Sequence, residues 1–381
     1  MLKPDCHLVF YGEIWHHKDK NIRKGRKEEK TVNEGLQEYA QRLRMTGQLE
    51  ASAYGEMMRF RDAELTSLVC EYALQTRKER AAEEIQWLGT IDISSYCKND
   101  CYYCGLRRDN RFAGRYRMEA EEIFACCEAG LQQGITNYLI QGGEDLWYTT
   151  ERVTEIIRGM KRLSKDITIL LSLGERSRAV YQTWKMAGAD GYLLCYQTSD
   201  DRSYHRLHPA KMSLLRKKQC LWELKELGYL VGTGFMIGTP YQRITDLADE
   251  FAFLRQLAPD MMMVETFLAS DGTPFEKERN GVMDLTYFVM ALLRLSFPKL
   301  YMPVAQTVEL FDRDGIRQGV RAGADMVSVD LTQEQWRQQY HCYRRSAMRG
   351  KIGLENIGEF RKSLQEAEHE IAGSDEHICR R

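Results

Sequence analysis

No run of about 18 uncharged apolar residues occurs anywhere in the chain, so a membrane-spanning helix is not expected. The N-terminus lacks a basic stretch followed by an apolar segment and a small-residue cleavage site, and a soluble cytoplasmic protein is the expectation. Neither sign of charge is in excess: 54 Lys and Arg stand against 55 Asp and Glu. That balance argues against a dedicated nucleic-acid binder, which gains affinity by releasing counterions from a basic surface. A disulfide framework is also missing, because 11 cysteines cannot all pair and no export signal accompanies them. With 43% apolar and 29% charged residues, the chain has neither a disordered nor a collagen-like composition.

What is present is enough chain for two or three average domains, or for one large α/β barrel with extensions. Residues 1–50 read as a polar, partly disordered extension, in which His16–Lys30 has no apolar periodicity and forms a solvated basic run. Helical patterns cover Thr31–Thr46 and Asp62–Glu84, and residues 51–89 read as a helical cap. From residue 90 to 340 short β-branched and aromatic runs alternate with helical patterns. The runs are Thr90–Ser94, Asn137–Gln141, Ile167–Ser172, Gly191–Cys195, Tyr229–Met236, Met261–Glu265, Leu300–Gln306 and Met326–Asp330. This alternation predicts an α/β fold, a (β/α)8 TIM-type barrel, with an open partial barrel as the alternative. Gly-Ala-Asp recurs before the fourth and eighth runs, at 188–190 and 323–325, as a repeated helix-to-strand turn. Residues 341–381 read as a charged helical tail that frays at its end.

A barrel places its chemistry at the C-terminal ends of its strands. Directly after the first run come Cys97, Cys101 and Cys104, spaced C-x3-C-x2-C. Three thiolates on one short loop can hold three corners of a soft metal cluster. Structural zinc normally takes a fourth ligand, and the nearest downstream cysteines, Cys126 and Cys127, lie in a helical pattern. A [4Fe–4S] cluster with three protein thiolates instead leaves one iron open to a small molecule with N and O donors.

The C-x3-C-x-aromatic-C motif, with Tyr103 before the last cysteine, resembles the signature of the radical S-adenosylmethionine (SAM) superfamily. The resemblance implies a [4Fe–4S] cluster, SAM bound to its open iron, and a 5′-deoxyadenosyl radical that abstracts hydrogen from a substrate. It also implies an electron donor such as ferredoxin or flavodoxin. Gly142, Gly143 and Glu144 resemble the motif that meets the SAM amino group, with a Gly-Gly turn and a solvated acid as the alternative. Gly232–Gly238, containing Met236, resembles the stretch along the adenine, and Tyr103 and Ser172 fall at cofactor-facing positions.

Within the superfamily the resemblance covers residues 60 to 335 and is to the biotin synthase-like branch, which includes HydE-type [FeFe]-hydrogenase maturases and PylB-type methylornithine synthases. Cys104–Asn110, Arg115–Met118 and Leu171–Glu175 are similar to the maturases, and Thr266–Leu268, Gly272–Pro274 and Phe297–Lys299 to the synthases. Gln197-Thr198 replaces the Glu-Thr of both relatives, and the basic residue for the SAM carboxylate reads as Lys217 or Arg216. Met263 stands at the synthase's substrate-binding Arg, followed by Glu265, while Thr307 and Glu309 align with its substrate-gripping Ser and Asp. Glu265, Thr307 and Glu309 are therefore the candidate substrate-site residues, against a reading of the last two as solvated loop. The methionines at 236 and 261–263 read as pocket lining or as core, and His205 and His208 as structural. The function expected is a radical SAM enzyme acting on a small amino-acid-like substrate by a synthase-like carbon-skeleton rearrangement. A HydE-like maturation role and a non-catalytic iron–sulfur scaffold are the alternatives.

Overall fold

Every strand anticipated from the sequence is found in a computed structural model of the chain, and all of them run parallel in one sheet that curls almost to closure. The structure describes residues 25–80, 85–305, 307–308, 314–340, 342, 353–359, 361–362 and 364–365. The strands are β1 (Gln86–Ser94), β2 (Asn137–Gly142), β3 (Thr168–Ser172), β4 (Gly191–Leu193), β5 (Leu230–Ile237), β6 (Met261–Thr266), β7 (Pro303–Val304) and β8 (Met326–Asp330). Their order is β6-β5-β4-β3-β2-β1-β8-β7. The seam between β6 and β7 is bridged just below β7, where Tyr301 donates to the Asp260 carbonyl and accepts from the Met262 amide, both at 2.8 Å. This is a (β/α)8 TIM-type barrel, and closure leaves almost no strand edge exposed.

Helices α4 (Ala120–Gln132), α5 (Thr150–Leu163), α6 (Arg178–Ala187), α8 (Leu214–Glu226), α9 (Ile244–Leu257), α10 (Met283–Ser296) and α11 (Gly315–Arg321) follow successive strands, and a short α7 (Asp201–Leu207) precedes α8. Their starts are written locally: Thr149, Ser177, Asp200 and Ser213 each accept a first-turn amide with the side chain. On the N-terminal side, α1 (Gly25–Thr46), α2 (Ala51–Phe60) and α3 (Ala63–Arg80) pack against the barrel helices. Tyr54 of α2 stacks on Phe251 at 3.9 Å and shares a 2.7 Å hydrogen bond with Ser296.

Several expectations need correcting. The last six residues of the basic run His16–Lys30 belong to α1, so that part is helix and not linker; residues 16–24 lie outside the described residues. Helix α2 falls inside the expected helical cap although its pattern is not among the named helical stretches, and β1 begins at Gln86, four residues early. The seventh run, expected over Leu300–Gln306, yields a strand of two residues. Past Ala305 the chain turns helical, with the Val308 amide on the Ala305 carbonyl at 3.0 Å. Thr307 therefore sits in a helical turn, and the expected strand face shared with Glu309 has no strand to rest on. Glu309 and Gln306 lie outside the described residues, as does most of the tail from 343 onward.

Which way each strand faces follows from Gly89, whose added Cβ would meet Leu331 at 2.5 Å and Ile135 at 3.1 Å on the helix side. Leu88, Thr90 and Asp92 therefore face the lumen, and pairing carries this face to Gln141 and Ser172 and to Ser328. The barrel floor repeats one device. Asp190, Asp260 and Asp325, each just before an even-numbered strand, accept the amide of Ile169, Val231 or Met302 in or beside the preceding one, at 2.7 to 2.8 Å. The Gly-Ala-Asp turns deliver two of these acids, and their glycines take φ of 115° and 93°, which favours glycine.

Arg294, fully buried on α10, ties the floor together. It donates to the carbonyls of Gly323 (2.8 Å), Leu300 (2.7 Å) and Pro298 (2.9 Å) and pairs with Asp325 at 3.0 Å. Arg294→Ala would strand a buried carboxylate and three carbonyls, and is expected to cost about 3–5 kcal/mol. Urea denaturation checks this; a loss under about 0.5 kcal/mol would mean that water replaces the guanidinium.

Candidate active site

The cysteine loop is held mainly by its backbone amides, and the thiols add only a 3.9 Å contact from Cys101 to the Met212 sulfur and the Cys342 neighbour of Cys104. Lys98 donates its amide to the Glu144 carbonyl (3.0 Å), Tyr102 to Leu207 (2.9 Å) and Gly105 to Cys342 (3.2 Å). Arg115 reaches in from the far side and donates to the carbonyls of Ser95, Leu106 and Arg107, the last two at 3.0 and 2.7 Å. Asp100 and Arg107 pair at 2.7 Å. Cys97, Cys101 and Cys104 are thus presented as free, half-buried thiols on a fixed loop.

Burial, then repulsion from Cys104, pushes the Cys97 thiol up to about 11 and the Cys101 thiol upward as well. For Cys104 the leading cause is the neighbouring Cys342, followed by burial. A bound soft cation reverses that balance and takes the thiolates. Among the described residues, no three His, Cys, Asp or Glu side chains converge as the shell of a single metal ion. A four-iron cluster makes no such demand, because each thiolate binds a different iron. The donor set fits the cluster.

At the end of β2, Gly142 and Gly143 lie flat on this loop. A Cβ at Gly143 would stand 2.0 Å from the Tyr96 carbonyl oxygen and 2.9 Å from the Cys97 Cβ, and one at Gly142 would meet the Ser94 oxygen at 2.8 Å. The glycines are thus required by contact within the chain. Glu144 is no solvated acid: it is 6% exposed, accepts from Asn99 at 2.8 Å, and pairs with Lys98 and, at 3.5 Å, with Arg176.

Across the mouth, Lys217 of α8 is buried and pairs with Glu175 at 3.3 Å. Burial opposes its charge, but Tyr204, Glu175, Cys101 and Glu144 outweigh burial and hold its pKa above the usual value. Arg216 turns outward to Glu223 and the Arg176 carbonyl, both at 2.9 Å. Of the two basic candidates, Lys217 is therefore the one beside the cysteine loop.

Ser172 ends β3 opposite Gln141. Gln197 adopts φ of 69° and bridges to β5, donating its amide to Gly234 (3.0 Å) and accepting from the Met236 amide (3.1 Å). Met236 pairs with Glu265 on β6, and both face the lumen. Tyr103 stands edge-on to His208, with its hydroxyl 3.5 Å from Nε2. His208 stacks on Tyr204 at 3.9 Å, and burial, then Lys217, push its pKa down to about 3, so it stays neutral. His205 is half exposed beside Asp201 at 3.5 Å.

The Glu265 carboxylate raises the pKa values of Tyr103, Cys104 and Cys195, behind burial and, for Cys104, behind Cys342. Thr307 is fully buried, and its hydroxyl has no hydrogen-bond partner among the described residues. Glu309 cannot be placed, since it lies outside the described residues. Sequence reasoning missed the lumen residues Asp92, Gln141 and Ser328 and the approach of Cys342 to Cys104. Polar residues at alternate positions of apolar strands, Thr90 and Asp92 or Ser328 and Asp330, carried the signal for the first group.

Two predictions follow from these contacts. Gly143→Ala is expected to displace the cysteine loop and lose most bound iron after anaerobic reconstitution, with an unchanged far-ultraviolet circular dichroism spectrum; full iron content would show that the loop yields at no cost. Glu250, buried on α9, accepts the Ser199 amide at 2.8 Å behind the Gln197–Ser199 turn. Burial raises its carboxyl to about 7, partly offset by the Ser199 amide and the Tyr196 hydroxyl. With a folded pKa above the unfolded one, its contribution is present below about 4.5 and is lost as pH rises through about 7. Glu250→Gln keeps the acceptor, so its stability relative to the parent should rise between pH 5 and 8, by on the order of 2 kcal/mol. A pH-independent difference in denaturation midpoints would refute the assignment.

Residues 91–254 match the model of the radical SAM superfamily. The chain is 34% identical over 288 residues to the [FeFe] hydrogenase maturase subunit HydE of Thermotoga maritima, covering 76% of this chain and 82% of that protein. It is 31% identical over 248 residues to 3-methylornithine synthase of Methanosarcina acetivorans, covering 63% and 68%. The crystal structure of methylornithine synthase (PylB) superposes with a TM-score of 0.70 at 25% identity, over 76% of this chain and 85% of that one. The hydrogenase maturase HydG, at 17% identity, a TM-score of 0.69 and coverage of 81% and 72%, shares the fold. A loop of three thiols fixed at the mouth of a parallel barrel, together with these relatives, places the chain in the radical SAM superfamily of enzymes, whose members use a [4Fe–4S] cluster and SAM.

Proposed function

We propose that the enzyme abstracts hydrogen from a small amino-acid-like molecule held in the barrel lumen and drives a carbon-skeleton rearrangement of the methylornithine synthase kind. When bound, the cluster would supply the electron and SAM the 5′-deoxyadenosyl group for hydrogen abstraction from a substrate. The chain's own residues divide the remaining work.

Cys97, Cys101 and Cys104 would hold three irons. Glu144 is charge-matched to the SAM ammonium and Lys217 to its carboxylate. Gly142 and Gly143 leave the backbone of the β2 end bare of side chains beside the loop, and Ser172, Gln197, Met236 and Tyr103 rim the space an adenosine would need. Glu265 and Thr307 stand on the substrate side, with Glu309 assigned there from sequence alone. The observation that carries this reading is the placement of Glu265. It faces the lumen from β6, paired with Met236, and its charge raises the pKa values of Cys104 and Tyr103 behind larger effects.

A second reading, maturase-like handling of an iron complex, draws on the 34% identity to HydE over most of both chains. An electron donor of the ferredoxin or flavodoxin kind serves either reading.

The test is anaerobic reconstitution, reduction with dithionite in the presence of SAM, and mass spectrometry for 5′-deoxyadenosine with and without candidate amino acids. We expect 5′-deoxyadenosine to form and one amino acid to be converted. Glu265→Gln and Thr307→Val should keep uncoupled SAM cleavage within about threefold and reduce substrate conversion by at least about tenfold. Conversion of an iron complex with every amino acid inert would replace the synthase-like reading by the maturase-like one. Absence of SAM cleavage at full iron content would overturn both.

A further inference from the structure

A fourth thiol stands at the cysteine loop. Cys342, far along the chain, offers its carbonyl to the Gly105 amide at 3.2 Å and to the Ser270 hydroxyl at 2.9 Å. Asn110 ties the same loop to the same turn, its side-chain amide donating to the Gly105 carbonyl at 2.8 Å and to the Asp271 carbonyl at 2.9 Å. The stretch that leads to Cys342 is anchored as well: Trp336 stacks on Tyr116 at 5.1 Å, and the Gln339 carbonyl oxygen would lie 3.0 Å from a Cβ added at Gly114. Cys342 is therefore held in a fixed relation to the residue beside Cys104.

The four sulfurs are not equivalent. The charge of Cys104 acts on Cys97 and Cys101, and Cys101 turns to the Met212 sulfur at 3.9 Å. On the Cys104 thiol itself the largest influence is a side-chain hydrogen bond with Cys342. A disulfide asks for Cα atoms within about 7 Å and for sulfurs in contact. The amide-to-carbonyl bond one residue past Cys104 holds the two backbones at that reach, and the bond between the thiols supplies the contact.

A four-iron cluster held by three thiols leaves one iron for SAM, so Cys342 has no place among its ligands. In the iron-free protein both sulfurs are half-buried thiols that a small oxidant can reach. Hydrogen peroxide converts one of them to a sulfenic acid and releases water. Attack by the other sulfur then displaces a second water and closes the S–S bond. Two thiols lose two electrons and two protons, and one peroxide takes them up as it becomes two waters. A dithiol reverses the step by exchange, leaving both thiols free and itself oxidised to a disulfide.

We propose that Cys104 and Cys342 form a reversible disulfide in the iron-free protein, a redox modification site that withdraws one cluster ligand and must be opened by a dithiol before the cluster is assembled. With Cys104 linked, the loop keeps two thiols for a cluster that needs three. The inference concerns assembly of the cluster and stands whichever substrate the enzyme takes.

The test is peptide mapping of the full-length, iron-free protein after treatment with hydrogen peroxide, with free thiols blocked by N-ethylmaleimide and tryptic digestion run without reductant. We expect the peptide from Asn99 to Arg107 to be joined to the one from Gln338 to Arg344, two hydrogens lighter than their sum, and to separate on treatment with dithiothreitol. That first peptide carries Cys101 and Cys104, so fragment-ion sequencing assigns the bridge, and it should fall on Cys104. Iron bound on anaerobic reconstitution without added thiol should be at least about fivefold lower in the bridged protein than in the reduced one, and dithiothreitol should restore it. Cys342→Ser, never oxidised, should bind iron as the reduced parent does. A bridge from Cys104 to Cys97 or Cys101, free or over-oxidised thiols in place of a bridge, or full iron uptake by the bridged protein would overturn the proposal. Loss of iron in folded Cys342→Ser, with an unchanged far-ultraviolet circular dichroism spectrum, would overturn it too, by making Cys342 a ligand.

Discussion

The end of β2 and the cysteine loop after β1 approach so closely that no side chain fits between them, and the site is built outward from that contact. Gly143 touches the Tyr96 carbonyl, and Glu144 then faces Lys98 and Asn99 of the loop. The loop is held mainly by backbone amides, by Arg115 and by the side chains of Asn99 and Asp100, while the thiols add one long contact, Cys101 to Met212 at 3.9 Å, and the approach of Cys342 to Cys104. That separation of tasks lets the sulfurs carry a metal cluster without the loop depending on it for shape.

The mouth and the chamber beneath it have opposite electrostatic characters. Around the cysteine loop, cations and anions interleave: Lys98, Arg176 and Lys217 alternate with Glu144 and Glu175. Such a neutral mosaic suits a zwitterion, which presents an ammonium and a carboxylate together. Below it the lumen has acids and hydroxyls and no inward cation on the described strands. The two regions thus differ in the charge they present.

Most of the fold was legible because its signals are local. Short apolar runs separated by helical patterns define βα units, and the Gly-Ala-Asp turns announced two of the floor carboxylates. The cysteine spacing was legible for the same reason, being written in eight consecutive residues. What escaped depends on partners distant in sequence. That Gly143 is required by Tyr96, that Lys217 and not Arg216 faces Cys101, and that Cys342 arrives beside Cys104 are facts of packing across 47 to 238 residues. The seventh strand misled for a different reason. Its apolar, β-branched composition reads as a long strand, but the chain after Ala305 satisfies its amides in a helical turn, and Thr307 leaves the ladder.

The barrel is unevenly tied. From β1 to β6 each strand pairs with the next, by six residue pairs between β5 and β6 and by two between β3 and β4, whereas β7 pairs two residues with β8 and among the described residues meets β6 through the Tyr301 bridge. The well-tied arc carries the cysteine loop, Glu144, Lys217 and Gln197; Glu265 and Thr307 flank the seam. Across the seam itself the described strands share little besides the Tyr301 bridge, so a change on β7 passes little strain to β6. The architecture thereby keeps a stiff half for a constant reaction and a pliable half in which a lineage can alter what it reacts upon.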